Sequence, residues 1–182
     1  MKTQGGSPQQ APKIVVRSLS AGATRGVVSY GNLRFPCALG RTGRRSGKRE
    51  GDGATPTGDF PLRSAYYRPD RLRRPQTRLS LTPLRPGDGW CDTTQDRNYN
   101  RPVRHPYPVS AEEMWRADGL YDLVVVMGYN DRPRVKGRGS AVFMHVARPG
   151  MLPTEGCVAL ARPHLERLLQ AVKRNAVVSV RP

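Results

Sequence analysis

The sequence has few cysteines, few histidines and no long apolar run. Of its 182 residues, three are Cys, three are His and five are Lys. No stretch reaches the ~18 consecutive apolar residues of a membrane-spanning helix, so no membrane span is predicted. The Cys and His residues are not spaced as metal ligands usually are. Neither a metal nor an organic cofactor is expected. Three cysteines form at most one disulfide, so at least one thiol is left over.

Positive charge is what the sequence has in excess. It contains 31 Lys and Arg against 14 Asp and Glu, which gives a net charge of +17 at pH 7, and 26 of the basic residues are Arg. Such a charge favours a polyanionic partner: nucleic acid, an anionic membrane face or an acidic polymer such as a cell wall. An arginine-rich surface that is merely solvated is the alternative.

Glycine and proline, with 19 and 17 residues, disfavour long helices and favour strands and ordered loops. We predict one β-rich α+β domain with a mixed sheet or sandwich core over residues 13–182, after a flexible tail at residues 1–12. The tail has no apolar segment after Lys2, so no ordinary export signal is predicted. Runs of β-branched and apolar residues predict strands at 13–17, 26–30, 33–39, 59–67, 122–129, 140–147 and 176–180. Pro36 favours a sheet edge for the third of these.

Two helices are also predicted. The segment Ser110-Ala-Glu-Glu113 has a capping-box pattern, which predicts a short helix over residues 111–118. Pro163, followed by leucines at helical spacing, predicts an amphipathic helix over residues 163–174. Residues 68–108 form a long segment that is rich in Pro and Arg but contains aromatic side chains, which indicates an ordered excursion that covers part of the domain.

One His and one Cys carry the clearest chemical signal. His145 alternates with Phe143 on a predicted strand, so both side chains point to the same face. Twelve residues later, after a loop rich in Pro and Gly, Cys157 re-enters beside a short apolar run. This arrangement can bring the imidazole within reach of the thiol and promote the nucleophilic thiolate. Gly156 would let the backbone approach a substrate carbonyl, with nearby amides as oxyanion donors. The alternative is an inert buried Cys and a core His.

Three blocks of the sequence resemble the L,D-transpeptidases of the YkuD family. Phe143-Met-His145 followed by Pro153-Thr-Glu-Gly-Cys-Val-Ala-Leu160 is similar to the family's His, loop and Ser/Thr-His-Gly-Cys block. The segment 48–60 resembles the family's Lys…Thr-Pro-x-Gly-x-Phe, and Met127-Gly-Tyr-Asn-Asp131 lies on the preceding strand. The blocks stand in the family's order, and the resemblance covers roughly residues 14–180.

The resemblance implies a peptidoglycan L,D-transpeptidase with a YkuD-like catalytic domain, acting in the periplasm or cell envelope in cell wall biosynthesis, wall organisation and cell shape. Its Cys would form an acyl-enzyme with a stem peptide at diaminopimelate and transfer it to an amine of another stem. By motif position, Cys157 is the nucleophile, His145 is its base, and Gly156 contributes an oxyanion amide together with Cys157. Thr154 takes the Ser/Thr position. Carbapenem-type β-lactams are expected as covalent inhibitors.

Two departures from the family pattern lie beside the Cys. Glu155 replaces the His before Gly-Cys; it could hold His145 as an imidazolium or bind a substrate amine, or it could be a solvated loop acid. Ala159 replaces a polar residue that often follows the Cys in the family. The acyl acceptor is therefore left open between a diaminopimelate–diaminopimelate cross-link and a link from diaminopimelate to L-Ala.

Three further residues are candidate substrate ligands. Tyr129 and Asn130 end a predicted strand beside the His strand, where they could bind a stem peptide or simply cap the strand. Arg148 follows the His strand and could pair with a substrate carboxylate, although it could also be one surface arginine among many. Cys37 and Cys91 are predicted to be small buried hydrophobes rather than a disulfide.

Two other functions remain compatible with the sequence. An L,D-carboxypeptidase or amidase would use the same Cys–His pair, with water resolving the acyl-enzyme. A basic nucleic-acid-binding module would account for the charge and for the Arg-rich segments 41–49 and 68–78. No recognised nucleic-acid motif or spaced aromatic platform accompanies them, so no specific nucleic acid is expected.

Overall fold

The computed structural model describes residues 13–181, and the predicted tail at residues 1–12 lies outside this range. Within it the chain forms fourteen strands, one α-helix and a 3₁₀ turn at Pro149–Met151. The elements are β1 Lys13–Arg17, β2 Arg25–Tyr30, β3 Leu33–Ala38, β4 Arg44–Arg45, β5 Thr55–Pro56, β6 Gly58–Tyr67, β7 Ser80–Pro83, β8 Asp88–Cys91, β9 Pro102–Arg104, β10 Ala111–Glu113, β11 Leu123–Met127, β12 Phe143–Val146, β13 Val158–Leu160, α1 Arg162–Ala171 and β14 Val177–Val180. The domain is mostly β, as predicted.

Nine of these strands form one mixed sheet in the order β11-β12-β13-β3-β2-β1-β14-β6-β7, and an additional pairing between β11 and β6 closes the sheet on itself. The pairs β1–β14, β6–β7 and β12–β13 are parallel, and the other pairs are antiparallel. The long strand β6 makes the closure possible, because it pairs with β14 along its first residues and with β11 along its last.

The central strands β11 and β12 separate two apolar clusters, because successive side chains point to opposite faces. Val125 of β11 and Met144 of β12 belong to the larger cluster, which also contains the leucines of α1. Val124 and Phe143 belong to the smaller cluster, which is covered by Trp90 and neighbouring residues of the predicted excursion. This alternation of faces on β12 confirms the prediction made from the sequence.

Helix α1 confirms the amphipathic pattern, with slightly different bounds. It begins at Arg162 and ends at Ala171, and Pro163 occupies its first turn. The side chains that the helical spacing assigned to one face are buried in the larger cluster: Leu165, Leu168, Leu169 and Val172.

The predicted helix over residues 111–118 is wrong, because the segment begins with the short strand β10. Ala111–Glu113 pairs antiparallel with β8, whose other edge pairs with β9. Met114, directly after the strand, is buried in the smaller cluster. A capping-box pattern is a local preference, and here pairing and burial with distant residues override it.

The edge position predicted for β3 is also wrong. β3 lies between β2 and β13, but β13 pairs only with Cys37 and Ala38. Pro36 lies just beyond this short ladder, so its missing N–H interrupts no pairing with β13. The parallel strand β12 lies on the other side of β13.

Candidate active site

Two neighbouring parallel strands carry Cys157 and His145. β12 pairs with β13 so that Met144 lies opposite Val158 and His145 lies opposite Ala159. Cys157 comes directly before β13 and therefore lies beside Phe143, whose backbone N–H donates to Cys157 Sγ at 3.4 Å. The Cys157 thiol in turn donates to the carbonyl oxygen of Ala141 at 3.3 Å.

A cleft of about 480 Å³ opens at this point. Six of the eight site residues predicted from the sequence line it: His145, Arg148, Thr154, Glu155, Gly156 and Cys157. The fold therefore collects residues from β12, from the loop after it and from the approach to β13 around one concave surface. Such a cleft, holding a thiol and an imidazole, has the form of an active site.

The other two predicted ligands, Tyr129 and Asn130, line a separate groove. Asn130 Nδ2 donates to the carbonyl oxygens of Val135 at 3.0 Å and Gly139 at 2.9 Å, and its Oδ1 accepts from the Val135 amide at 2.8 Å. The Tyr129 hydroxyl donates to the carbonyl of Arg138. Both side chains thus hold the loop that leads into β12.

The hydrogen bond of His145 determines which nitrogen of its imidazole can accept a proton. Its Nδ1 lies 2.8 Å from the carbonyl oxygen of Val146, and a carbonyl only accepts, so Nδ1 carries the proton. Nε2 is then the acceptor in the neutral ring. The ring is 5% exposed, and the ring of Tyr121 packs edge-on against it, with the centroids 5.4 Å apart.

Burial keeps both members of the pair uncharged. It lowers the pKa of His145 to about 4, and the positive charges of Arg116 and Arg148 act in the same direction. Burial also raises the pKa of Cys157 to about 12, assisted by the negative charge of Glu112. The resting site is therefore a thiol beside a neutral imidazole rather than a thiolate–imidazolium pair.

Gly156 has a conformation that only glycine adopts without strain. Its φ is 130°, and a Cβ at this position would lie 2.7 Å from the carbonyl oxygen of Ala54. The Gly156 amide donates to Thr154 Oγ1 at 3.1 Å, and the Thr154 hydroxyl donates to the Cys157 carbonyl at 2.7 Å. This turn fixes the backbone at Cys157.

The backbone amide of Cys157 is the available oxyanion donor of this turn. The Gly156 amide is already engaged by Thr154. Within residues 13–181, the Cys157 amide has no acceptor. A free N–H on the nucleophile itself can stabilise negative charge that develops on an attacked carbonyl oxygen.

Glu155 is paired with Arg41 and not with the imidazole. Its Oε2 accepts from Arg41 Nε at 2.8 Å, and its side chain is 77% exposed. The geometry therefore matches the solvated-acid alternative more closely than a partner for His145. Arg148 is exposed, and it also borders a second depression near Asp118.

Lys48, Glu112 and Tyr121 are among the cleft residues that the sequence did not single out for chemistry. Lys48 is buried and donates to Asp52 Oδ1 at 2.7 Å. The Tyr121 hydroxyl donates to Glu112 Oε1 at 2.5 Å. Lys48 stood in a recognised block, whereas the mistaken helix over 111–118 concealed that Glu112 faces the cleft.

Residues 13–181 contain neither a metal-binding cluster nor a membrane-spanning helix. No group of three or more His, Cys, Asp or Glu side chains is arranged to hold a metal ion there. No helix in the same range is long and apolar enough to cross a membrane. Cys37, Cys91 and Cys157 are all buried and unpaired.

Comparison with known proteins gives one family. The family described as the YkuD L,D-transpeptidase catalytic domain matches residues 13–180. No protein with a curated description matches significantly. The crystal structure of Mycobacterium tuberculosis L,D-transpeptidase 1 is a distant structural neighbour, with 16% sequence identity and a TM-score of 0.42. The alignment covers 93% of this chain but 61% of that one.

Proposed function

The chain belongs to the YkuD family of L,D-transpeptidase catalytic domains, and we propose that it is a cysteine-dependent peptidoglycan L,D-transpeptidase. The observation that carries the proposal is the shared cleft: it is lined both by His145 of β12 and by Cys157, which directly precedes the parallel neighbouring strand β13. The family match covers nearly the whole domain and favours this enzyme over a nucleic-acid-binding module.

The first half-reaction acylates the thiol. A donor stem peptide presents the carbonyl of its diaminopimelate to Cys157, and His145 Nε2 removes the thiol proton as sulfur attacks. The Cys157 amide stabilises the oxyanion. The imidazolium then gives its proton to the departing nitrogen, so the terminal D-amino acid leaves and a thioester remains.

The second half-reaction transfers the acyl group. An amine of another stem enters the same cleft, loses a proton to His145 and attacks the thioester carbonyl. The product is a cross-link from diaminopimelate to either diaminopimelate or L-Ala. Water in place of the amine would make the protein an L,D-carboxypeptidase or amidase with the same Cys–His pair.

The electrostatics of the pair support attack by a general-base mechanism. Since both Cys157 and His145 are neutral at pH 7, the proton moves as the carbon–sulfur bond forms. A strained β-lactam carbonyl can be attacked in the same way, and we expect carbapenems to acylate Cys157 through opening of their ring.

The substrate places the reaction in the cell envelope, which is the periplasm in a cell with two membranes. Peptidoglycan and its attached acidic polymers form an anionic mesh, and a net charge of +17 would hold the protein there by long-range attraction. The same reaction would contribute to wall organisation and cell shape.

The test is the product profile of purified muropeptides. The wild type should convert stem tetrapeptides into cross-linked dimers with release of the terminal D-amino acid, and Cys157→Ala should release none while keeping the wild-type circular dichroism spectrum. Products that contain only shortened monomers would identify the hydrolase instead. Cross-linking that persists in Cys157→Ala would overturn the proposed nucleophile.

A further inference from the structure

The lining of the active cleft is rich in carboxylates, although the whole chain is strongly basic. Four of the five glutamates in the sequence line this cleft, together with one aspartate. The five carboxylates are Glu50, Asp92, Glu112, Glu113 and Glu155, and the cleft's cations are Lys48, Arg116 and Arg148. Carboxylates therefore outnumber cations here, in a molecule whose net charge is +17.

Two of these carboxylates already have partners. Glu50 Oε2 accepts from the Tyr99 hydroxyl at 2.5 Å and from Ser140 Oγ at 2.9 Å. Glu155 is paired with Arg41 at the rim. One oxygen of each carboxylate is thus in use, and the charge of Glu155 is also offset by an arginine.

Glu112 is different, because the hydroxyl that its Oε1 accepts from belongs to Tyr121, whose ring packs on His145, while its Oε2 is free among the residues that the structure describes. Oε1 accepts from the Tyr121 hydroxyl at 2.5 Å, and Arg116 approaches the same oxygen only to 3.7 Å. Arg116 is held more closely by Asp118, at 2.5 Å. Within residues 13–181, Oε2 of Glu112 accepts no hydrogen bond, and the side chain is 29% exposed.

The surroundings of Glu112 leave its charge incompletely compensated. Burial raises its pKa, although the Tyr121 hydrogen bond and Arg116 oppose that effect. Asp92 adds a second negative charge nearby, and its Oδ1 is buried without a partner in the described part of the chain. An incoming positive group would relieve both carboxylates.

A second, independent feature points to a ligand at the same place. The ring of His145 is nineteen-twentieths buried, its Nδ1 is used by Val146, and Nε2 has no partner among residues 13–181. The ring lines the cleft. Tyr121 joins the two features, because its ring packs on His145 and its hydroxyl binds Glu112.

We propose that Glu112 binds the ammonium group of the acyl acceptor and presents it to His145 Nε2. The inference rests on the proposed function and adds the acceptor's chemistry to it: a primary amine that is protonated in solution, rather than water or a neutral nucleophile. The role that the sequence suggested for Glu155, binding a substrate amine, passes to Glu112.

The transfer step balances with these groups. The acceptor ammonium gives one proton to His145 Nε2 and attacks the thioester as the amine. The new carbon–nitrogen bond forms and the carbon–sulfur bond breaks. A second proton on that nitrogen passes to the sulfur and restores the Cys157 thiol, and the imidazolium releases its proton to solvent.

The experiment measures the partition of the acyl-enzyme between transfer and hydrolysis, using a stem tetrapeptide as donor. Glycinamide serves as an acceptor that is mostly cationic at pH 7, and methoxyamine serves as one that is neutral. In Glu112→Gln the glycinamide concentration for half-maximal transfer should rise on the order of tenfold, since a charged hydrogen bond is lost. The methoxyamine value should change far less than the glycinamide value. Because both amines attack the same acyl-enzyme, any effect of the lost Glu112 charge on acylation of Cys157 cancels from the ratio of the two values.

Two further variants separate charge from structure. Glu112→Asp keeps the charge and should retain most of the preference for glycinamide. Glu166→Gln removes a glutamate of α1 that borders a different depression. This variant should behave as the wild type in acylation and with both amines. An equal loss for both amines in Glu112→Gln, or no loss for either, would overturn the inference. Absence of any acyl-enzyme in the wild type would overturn the proposed function, and this inference with it.

Discussion

Two cysteines lie close to each other in the sheet, one in β3 and one directly before the adjacent strand β13, and their thiols have similar pKa values, yet we assign chemistry to only one. Cys37 on β3 lies opposite Leu160 of β13, and Cys157 directly precedes β13. Burial raises the pKa of each thiol to about 12. Cys37, however, is enclosed in the larger apolar cluster, whereas Cys157 lines a cleft that also holds His145.

The comparison shows that reactivity here does not come from a thiol that is already ionised. Neither thiol is a thiolate at neutral pH, so access to a carbonyl and a base within reach must make the difference. In this fold the access and the base both come from the parallel pairing of β12 with β13, which brings His145 and Cys157 to one face.

Removing the base should make the Cys157 thiol poorly reactive towards a stem peptide, as we expect the Cys37 thiol to be. We expect His145→Gln to lower the rate of acylation by a stem peptide about 10²–10⁴-fold, because general-base assistance is lost. Stopped-flow or quenched-flow acylation rates would measure it. His164→Gln is the matched control, since this His stacks on Phe35 at the start of α1 and not in the cleft. A His145→Gln variant within threefold of the wild type would refute the assigned base.

The pH dependence tests the claim that the resting pair is neutral. The raised pKa of Cys157 means that thiol predominates and that the thiolate fraction grows about tenfold per pH unit below about pH 12. Alkylation by iodoacetamide should therefore rise steadily between pH 6 and 9, without a plateau. The lowered pKa of His145 means that its neutral form persists down to about pH 4, so acylation by substrate should decline only below about pH 5. A reactive plateau at neutral pH would instead indicate a thiolate–imidazolium pair.

The turn before Cys157 can be perturbed without touching either reacting group. Gly156→Ala places a methyl group 2.7 Å from the Ala54 carbonyl oxygen in a backbone with φ of 130°. We expect the free energy of unfolding to fall by about 1–3 kcal/mol and acylation per folded molecule to fall about tenfold, as the Cys157 amide shifts. Chemical denaturation and acylation kinetics measure the two effects.

Gly150→Ala supplies the control for that substitution. Gly150 also has a positive φ, 72°, but a Cβ there would meet nothing within 4 Å. Its destabilisation should be smaller, and its acylation rate should stay near that of the wild type. Equal effects of the two substitutions would mean that backbone strain alone, and not the contact at Ala54, governs the Gly156 position.

The smallest effect on activity should come from the other cysteine. Cys37→Ala removes a sulfur from the larger apolar cluster, so we expect a loss of stability of about 1–2 kcal/mol and acylation within twofold of the wild type. A large loss of acylation per folded molecule in this variant would break the contrast between the two thiols.

Much of this contrast could be read from the sequence. The alternation of Phe143 and His145 on one strand, and the return of the chain at Cys157, predicted that His145 and Cys157 approach each other, and both line one cleft in the structure. Period-two patterns in buried strands are strong signals. The helix α1 was equally clear, because Leu165 and Leu168 repeat at helical spacing.

The carboxylates of the cleft could not be predicted in the same way. A capping-box pattern assigned Glu112 to a helix, whereas pairing with β8, more than twenty residues away, makes it part of a strand that faces the cleft. Tyr129 and Asn130 failed to reach the cleft for a related reason, since a loop closes around their polar atoms. Local patterns do not encode such long-range pairings.

The central claim is that Cys157 alone among the thiols becomes acylated, and peptide mapping tests it most directly. The native protein is incubated with a carbapenem, denatured in acid and digested, and each cysteine peptide is weighed by mass spectrometry. The account predicts a mass gain equal to the intact carbapenem on the peptide with Cys157, and unmodified peptides for Cys37 and Cys91. No mass gain on Cys157, or an equal gain on Cys37, would contradict it.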